Sequence, residues 1–502
     1  MSAGLATVRR VIERWSRDQV LALAPDAASQ KAATGVSSPG KWSALGVTPE
    51  VLWGECKGSG SKPYRACVDL SEPAYRCSCP SRKFPCKHSL GLLLLWSADG
   101  VPAAEEPADW VAEWLDQRRD RALKQASRLT AAQEAAVRET AAQRGAPAGT
   151  AGPDGRAHGD DGDGAAGSGG PGGSGRPDRR AQQREQRVTA GLSELERWLA
   201  DQIAQGVAGA RQTGPADWDA IAKRMVDAQA PGVAGMFTRL SGVLREEEWP
   251  GRLLGEYALV HLLAVAHRRT AELPSALGDV VRSRIGFPLA RETVLASPAV
   301  RDRWDVIGSR DEEQDRLIAR RVWLRGRETG RAALVLSFAP VGQALDASLV
   351  SGTTVDADLA FYPGSAPLRA LVARRHGAVQ AGPPPGLSAA RIPGLLAGVL
   401  AGDPWTESWP VVLSGVVPAN DGGWLLADPG PLDSGPLDSG PLDSGPDLVP
   451  EVSGLRLDSS IGTPWRLLAV SGGHPVTVAC EWTPRGLRPL TTWDEEGKVV
   501  VL

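Results

Sequence analysis

The sequence has no apolar stretch of the roughly 18 residues that a membrane-spanning helix needs. Its first residues, MSAGLATVRRVIERW, form an amphipathic pattern and lack the continuous apolar centre of a secretory signal. Cysteine is also scarce, because six unevenly spaced cysteines in 502 residues do not make the disulfide framework of a secreted domain. We therefore expect the chain in the cytoplasm, whose reducing conditions keep thiols free.

Familiar catalytic signatures are missing as well. The sequence contains no phosphate-binding G-x-x-x-x-G-K-[ST], no H-E-x-x-H of zinc proteases and no G-x-S-x-G nucleophile turn. Asp356 and Asp358 alternate on a predicted strand and are expected on its solvated face. His376 and His474 have no partner that the sequence identifies. We predict a non-enzymatic protein, and the alternative is an enzyme of unfamiliar type within 290–502.

The composition is that of a folded chain, with 42% hydrophobic and 23% charged residues. A chain of 502 residues is expected to form about two or three domains. The formal net charge is −3, yet residues 1–100 hold thirteen Lys and Arg against eight Asp and Glu. Bulk charge therefore argues against polyanion binding by the whole chain, while its N-terminal part is mildly basic.

The most informative stretch is Tyr75–Trp96, YRCSCPSRKFPCKHSLGLLLLW. Cys77, Cys79, Cys86 and His88 follow there in the order C-x-C, six residues, C-x-H. Residues two apart in a strand point to the same face, so the first two cysteines can bind one ion. Four such ligands within twelve residues predict one closed, tetrahedral, structural zinc site. A redox pair or disulfide is the alternative, but the spacing disfavours it and leaves His88 without a role.

This stretch resembles the SWIM-type zinc finger, whose pattern is C-x-C, a variable gap and C-x-H. All four metal-binding positions are matched, and the preceding GSGSKPYRACVDL and following leucine-rich helix are similar to bacterial members. The resemblance covers about residues 50–97. It implies contact with DNA or protein, because SWIM fingers occur beside DNA-remodelling, transposase and ubiquitin-related modules.

Basic residues surround the predicted ligands, namely Arg76, Arg82, Lys83 and Lys87. In one interpretation they offset the negative charge of a three-thiolate zinc centre and donate hydrogen bonds to sulfur. In the other they form a patch that contacts phosphates or a partner. Cys56, in the turn-like GECKGSGSK, is an alternative ligand, whereas Cys67 and Cys480 are expected in the core.

Two helices and a β-hairpin are predicted around the finger, namely Thr7–Ala24, Asp26–Gly35 and the strand pair Tyr64–Leu70 with Tyr75–Cys79. Trp42 and Trp53 are expected to pack against the finger. Because this small unit has little core of its own, zinc binding would contribute to its folding free energy.

The whole chain is predicted to be α+β and multidomain. Its parts are an N-terminal domain at 1–143 with the small zinc-finger α/β-hairpin domain at about 50–97, a disordered Gly/Pro-rich linker at 144–181, a helical bundle at 182–290 and a β-rich module at 291–502. A low-complexity PLDSG insertion lies at 431–445. LLGEYALVHLLAVAHRRT is apolar over most of its circumference and is expected to be a central bundle helix whose His261 and His267 bind no metal. The charged run Arg301–Arg327 is expected to be a solvated face.

These observations predict a zinc-binding adaptor without catalytic activity. An unidentified protein partner is the first expectation and nucleic acid the second, bound through the basic residues around the finger. Internal scaffolding is the third alternative, in which the finger has no partner. Neither a membrane nor a small-molecule substrate is indicated.

Overall fold

The computed structural model describes residues 14–118 apart from 59, 61, 71, 72 and 82, residues 175–429 apart from 315, 316, 341–344, 380 and 381, and residues 454–502. Along these residues an N-terminal sheet with the finger helix is followed by a helical bundle and a β-rich part. The predicted α+β class is confirmed. The predicted PLDSG insertion, most of the predicted linker and Arg82 lie outside the described residues.

The N-terminal part is built on a four-stranded antiparallel sheet in the order β1-β2-β3-β4. Its elements are α1 (Arg17–Ala22), α2 (Ala27–Val36), β1 (Trp42–Val47), β2 (Val51–Cys56), β3 (Tyr64–Asp69), β4 (Ala74–Cys77), α3 (Lys87–Ser97) and α4 (109–118). The predicted hairpin is β3 with β4, and β4 ends at Cys77, so Cys79 lies in the following turn. Strands β1 and β2, which periodicity did not identify, extend the hairpin into a sheet.

Helix α1 begins at Arg17, later than the predicted start at Thr7. The Ser16 side chain accepts a hydrogen bond from the backbone N–H of Gln19, and the Gln19 side chain accepts one from the N–H of Ser16. This reciprocal capping box fixes the first turn, so Trp15 precedes the helix. The predicted residues 7–13 of the helix lie outside the described residues.

The sheet is covered on both faces. On one face, α3 supplies Leu90 and Leu92–Trp96 to a core that also holds Trp42. On the other face, Trp53 packs with Val111 and Trp114 of α4. The expectation that Trp42 and Trp53 both pack against the finger is therefore wrong for Trp53, because the two side chains lie in clusters on opposite faces.

Helices α2 and α3 approach each other closely at Gly91. A Cβ atom there would lie 2.6 Å from Cγ2 of Val36 and 3.2 Å from the carbonyl oxygen of Ala33. Helix α2 itself starts as predicted, because the Asp26 carboxylate accepts a hydrogen bond from the N–H of Ser29 at 2.7 Å. Because Gly91 has no side chain, the finger helix can pack closely against α2.

The helical bundle follows at the predicted place. Its helices are α5 (Gly175–Gln205), α6 (Ala210–Asp227), α7 (Pro231–Val243), α8 (Trp249–Arg268), α9 (Ser275–Ile285) and α10 (Arg291–Leu295). Helix α5 begins at Gly175, inside the range predicted as the linker. Helix α8 is not enclosed as predicted, because Leu254 and Leu262 on its outer side are 50% and 43% exposed. Its buried residues, such as Leu253 and Tyr257, lie on one side only.

The β-rich part begins with a closed five-stranded barrel in the order β5-β6-β7-β9-β8. Its strands are β5 (Val300–Gln314), β6 (Leu317–Gly326), β7 (Ala332–Pro340), β8 (Thr354–Phe361) and β9 (Arg369–Val379). Neighbours are antiparallel except β7 and β9, which pair in parallel. Trp304, Val306 and Leu324 belong to the apolar cluster that fills it.

A six-stranded antiparallel sheet in the order β12-β11-β10-β13-β14-β15 completes the fold. Its elements are α11 (Ile392–Gly402), β10 (Trp409–Asn420), β11 (Trp424–Ala427), β12 (Gly454–Arg456), α12 (Trp465–Ser471), β13 (Val476–Thr483), β14 (Gly486–Trp493) and β15 (Val499–Val501). The strand pattern predicted for TPWRLLAVSGGHPVTVACEW is wrong in its first half, which forms α12. Short apolar runs do not distinguish a helix from a strand, and Gly472 at φ +51° ends this helix.

The charged run at Arg301–Arg327 is solvated only in part, because Arg301, Arg303 and Asp311 are exposed whereas other charged residues of the run are not. Asp302, Asp305 and Arg320 are buried there. Arg320 bonds Asp311 at 2.7 Å, and Arg327 bonds Asp305 at 2.7 Å. The expectation is wrong for these buried residues, because they are paired within the barrel and its loops. One side of the barrel also packs on the six-stranded sheet, where Ile307 and Trp323 meet Val412, Ala479 and Leu490.

The three parts are joined by specific contacts. Trp405, in the loop after α11, lies in the core of the bundle and donates its indole N–H to the carbonyl oxygen of Leu259 at 2.8 Å. Gln19 of α1 donates its amide to the carbonyl oxygen of Ser351 at 2.9 Å. Within the described ranges, no helix combines the length and apolar character needed to cross a membrane.

Candidate metal centre

Cys77, Cys79, Cys86 and His88 come together at the edge of the N-terminal sheet. Their ligand atoms all lie within 4.8 Å of one another. Cys77 ends β4, Cys79 lies in the turn after it, Cys86 immediately precedes α3 and His88 is in its first turn. The end of an edge strand with its following turn, and a helix start, thus supply two ligands each.

Helix α3 orients its two ligands through its own cap. Cys86 is the N-cap residue, and its Sγ accepts a hydrogen bond from the backbone N–H of Ser89 at 3.5 Å. Asp and Ser usually fill such a position, and a thiolate does the same task because the helix start carries partial positive charge. The cap therefore fixes the sulfur and favours its ionised form.

The burial of the ligands is uneven. Cys86 and His88 are 3% and 4% exposed, whereas Cys77 and Cys79 are partly exposed. The His88 ring packs on Tyr64 with centroids 4.8 Å apart, which holds its plane. Nδ1 of His88 lies 3.7 Å from Sγ of Cys77, close to the ~3.5 Å that tetrahedral zinc with one sulfur and one nitrogen ligand requires.

The three cysteine thiols have different pKa values because their sulfur atoms lie close together. A hydrogen bond from the Cys77 thiol, aided by His88 and Ser89 against the effect of burial, lowers the pKa of Cys86 to about 3. The same hydrogen bond and burial raise the pKa of Cys77, and burial raises the pKa of Cys79. Three sulfurs this close cannot all ionise without a cation between them.

A zinc ion satisfies these constraints. Three thiolates and one imidazole are a standard donor set for structural zinc, and four protein ligands complete a tetrahedral shell. The cluster therefore fits one structural Zn²⁺ held by Cys77, Cys79, Cys86 and His88. The bound ion would supply the positive charge that lets all three sulfurs ionise.

Comparison with protein families agrees with this geometry. A family model described as the SWIM zinc finger matches residues 67–96. A second, described as the SWIM-associated four-helix bundle domain, matches residues 183–285. The chain is a SWIM-type zinc finger domain-containing protein. Neither the curated proteins nor the solved structures include a match to it.

The remaining cysteines lie outside the SWIM finger's metal cluster. Cys56, the proposed alternative ligand, is buried in the core beneath α3, and burial raises its thiol pKa. Burial raises the pKa of Cys67 to about 12 and also raises that of Cys480. These three thiols behave as small apolar core residues.

Among the basic residues predicted around the SWIM finger, the three that the structure describes have different surroundings. Lys83 pairs with Asp26 at 2.6 Å, and this contact, with that of Ser29, lowers the pKa of Asp26 to about 2. Arg76 is the cross-strand partner of Cys67, so it projects from the face that α4 covers. Lys87 is exposed beside the metal ligands, and Arg82 lies outside the described residues.

Two lysines that sequence reasoning missed lie near Lys87. The positive charges of Lys87 and Lys41 both act on the thiol of Cys56, which places them around the same end of the sheet. Lys57 follows Cys56, and its N–H donates to the carbonyl oxygen of Lys41 at 2.9 Å. All three lysines are exposed. No spacing rule links position 41 to 57 and 87, because strand pairing brings them together.

The acidic and histidine candidates of the β-rich part have partners. Asp356 accepts two hydrogen bonds from Arg301, at 3.0 and 3.2 Å, and Asp358 lies 2.9 Å from Nε2 of His376. His474 lies in the turn after α12, where its N–H donates to the carbonyl oxygen of Ser471. Among the residues that the structure describes, only the SWIM finger gathers three or more ligands suited to a metal.

Proposed function

We propose that the protein is a non-catalytic adaptor whose SWIM finger contacts a nucleic acid through its phosphates. The observation that carries this proposal is the group of Lys41, Lys57 and Lys87, called here the lysine end of the finger. All three side chains are exposed. Among the described residues none of them forms an ion pair with a carboxylate. The ammonium of Lys41 donates a hydrogen bond to the carbonyl oxygen of Gly35, which leaves its charge unneutralised. Cations that no protein carboxylate neutralises can contact phosphate oxygens.

Zinc enters this proposal as a folding element. Lys87 lies between Cys86 and His88, and the strand pairing of β1 with β2 sets Lys41 beside Lys57. Metal binding that locks the start of α3 therefore fixes one of the three cations relative to the other two. The thiolate ligands suit a reducing compartment, which supports a cytoplasmic location.

The test measures binding of a short labelled DNA duplex and of an RNA by fluorescence anisotropy over a range of salt concentrations. The test variant carries Lys41→Glu, Lys57→Glu and Lys87→Glu. Its matched control carries Arg187→Glu, Arg197→Glu and Lys223→Glu, which make the same charge change at exposed bundle positions. We expect the finger variant to bind at least ~10-fold more weakly and to lose up to ~0.9 of salt slope per phosphate contact.

Two results would reject this assignment. One is the absence of binding by the zinc-loaded wild type at low salt. The other is an equal loss of affinity in the finger variant and the bundle control, because that result would show only a dependence on net charge.

A protein partner is the second candidate, and one observation favours it. Phe84, in the turn between the ligand pairs, is 38% exposed and packs edge-on against Tyr75 with centroids 5.6 Å apart. Exposed aromatic side chains on a rigid support are frequent anchors of protein interfaces. Affinity capture would then depend on Phe84, and Phe84→Ala would remove specific partners that the lysine variant retains.

A further inference from the structure

Part of the connection between β7 and β8 of the barrel reaches into the core of the SWIM finger. This segment is residues 345–353, called here the barrel loop. Its Ala347 and Val350 are 5% and 1% exposed, and both belong to the apolar cluster that holds Leu90 and Trp96 of the finger helix α3. The finger core is therefore completed by a segment that belongs to the barrel.

Two hydrogen bonds hold the barrel loop on the finger side. The hydroxyl of Tyr75 donates to the carbonyl oxygen of Ala347, and the side-chain amide of Gln19 donates to that of Ser351. Tyr75 and Gln19 are themselves buried. If the loop moved away, each donor would lose its partner in a place where water does not replace it, which costs free energy.

Other hydrogen bonds hold the same loop on the barrel side. Arg320 of β6 donates to the carbonyl oxygen of Asp346 at 3.2 Å. Arg375 of β9 donates to the carbonyl oxygen of Ser348 at 2.9 Å. Because the loop bonds both modules along its length, a displacement from the finger also changes its contacts with the barrel.

Tyr75 connects the barrel loop to the zinc ligands. It lies two residues before Cys77 in β4, so the two side chains point to the same face of the sheet. Phe84, in the turn between the two pairs of ligands, packs edge-on against the Tyr75 ring with centroids 5.6 Å apart. The position of Tyr75 therefore depends on the strand and the turn that a bound zinc ion would hold in place.

We propose that the barrel loop couples zinc occupancy of the SWIM finger to the order of the barrel. Loss of zinc releases β4 and the ligand turn, so Tyr75 loses its position, and Ala347 and Val350 lose the apolar core that buries them. The loop then changes from an ordered to a mobile segment, which is one of the usual forms of a conformational switch. Such coupling is reciprocal, so a change that weakens the packing of the loop in the finger also weakens zinc binding.

The first experiment measures the zinc affinity of the full chain by competition with a fluorescent chelator. Val350→Ala shortens a side chain in the finger core and changes no ligand. We expect its Kd for zinc to rise at least ~5-fold, the low end of typical coupling between sites. The matched control is Val281→Ala in α9, the same change at a residue that is 0% exposed in the core of the bundle. It should leave the zinc affinity unchanged.

The second experiment tests the reverse direction and requires no variant. Hydrogen exchange of the wild type is compared with zinc bound and after chelation. The N–H groups of Gly352 and Thr353 bond to the carbonyl oxygens of Val306 and Val350, and we expect both to exchange faster without zinc. The strands β10 and β13 of the six-stranded sheet should exchange at the same rate in both states.

Three outcomes would overturn the proposal. One is a zinc affinity that Val350→Ala does not change. Another is an equal loss of affinity in Val350→Ala and Val281→Ala, because that result would reflect general destabilisation. The third is exchange in the barrel loop that chelation does not alter. Circular dichroism checks that both variants fold, and Ala347→Gly, a smaller change in the same loop, replaces Val350→Ala if that variant unfolds.

Discussion

The hydroxyl of Tyr75 donates a hydrogen bond to the carbonyl oxygen of Ala347 at 3.2 Å. Tyr75 lies two residues before the zinc ligand Cys77, and Ala347 belongs to the loop that precedes β8 of the barrel. Burial raises the pKa of Tyr75, so the phenol keeps its proton and remains a donor. The SWIM finger is therefore hydrogen-bonded to the C-terminal β-rich part through the strand that also carries the zinc ligand Cys77.

Removal of this hydrogen bond is expected to loosen that connection. Tyr75→Phe leaves the carbonyl of Ala347 unsatisfied, so we expect a loss of about 1 kcal/mol in unfolding free energy. Zinc content stays at one ion per chain, because no ligand changes. Denaturant unfolding with zinc analysis checks both. Tyr64→Phe is the control, since its hydroxyl makes no hydrogen bond among the described residues; an equal loss there would contradict the role of Tyr75.

Zinc removal is expected to unfold the finger locally. Without the ion, three neighbouring sulfurs and the His88 ring lose their common partner, and the short strand β4 has little core of its own. Hydrogen exchange measured before and after chelation should show faster exchange in β4 and at the start of α3. The bundle helices α5–α9 should be unaffected. Protection that is unchanged in the finger would show that the ion does not stabilise it.

The choice of ligands predicts a contrast between two buried cysteines. Cys86→Ser removes a direct ligand, so zinc affinity should fall by more than the ~10–100-fold that loss of an outer partner costs. Cys56→Ser should bind zinc in full, because Cys56 lies outside the cluster, although a buried hydroxyl lowers its stability. Metal analysis after dialysis against a weak chelator distinguishes them. Loss of zinc from both variants would show that Cys56 is also a ligand.

Gly91 should be intolerant of any side chain. Its added Cβ would overlap Val36 on α2, so Gly91→Ala should destabilise the protein by roughly 1–3 kcal/mol. Gly398→Ala in α11 meets no atom within 4 Å and should stabilise by about 0.5 kcal/mol or more through helix propensity. Thermal unfolding measurements show whether the two substitutions change the stability in opposite directions. A neutral Gly91→Ala would mean that α2 and α3 are not closely packed.

His267 gives the bundle a predictable pH response. It is buried, contacts Thr189 at 3.1 Å, and faces Glu185 at 3.7 Å and Arg282 beyond it. Burial lowers its pKa below the ordinary 6.5. The unfolded chain therefore binds a proton more readily, so this residue's contribution is present above pH 6.5 and is lost as pH falls through the folded value.

Unfolding free energies near pH 7.5 and pH 5.5 check this response. The wild type should lose more stability on acidification than His267→Gln, which keeps a hydrogen-bonding group and does not titrate. The other histidines contribute equally to both proteins. A loss of the same size in both would show that His267 titrates alike in the folded and unfolded chains.

Several features depended on neighbours in sequence, and these were predicted. Cys77, Cys79, Cys86 and His88 lie within one strand, turn and helix start, so their spacing already implied a shared ion. The start of α2 just after Asp26 follows from the side chain of Asp26, which caps the helix. The alternation of β3 and β4 predicted their pairing, although not the two strands that extend the sheet.

Other features depended on residues far apart in the chain. Lys83 was predicted as a contact residue from its neighbours in sequence, and its ion pair with Asp26, which is distant in sequence, could not be predicted in that way. Glu481 of β13 is 1% exposed and lies 3.2 Å from Arg310 of the barrel, a pairing that no local pattern indicates. The outer face of α8 is visible only once its other faces are known to be covered.

The sequence by itself determined the metal ligands, the α+β class and the order of helical and β-rich regions, because each follows from side chains a few residues apart. The tertiary structure decided which charges are neutralised, that a barrel supports the finger and which helix face remains open. Those outcomes arise when distant segments pack, and packing depends on the shape of the whole molecule.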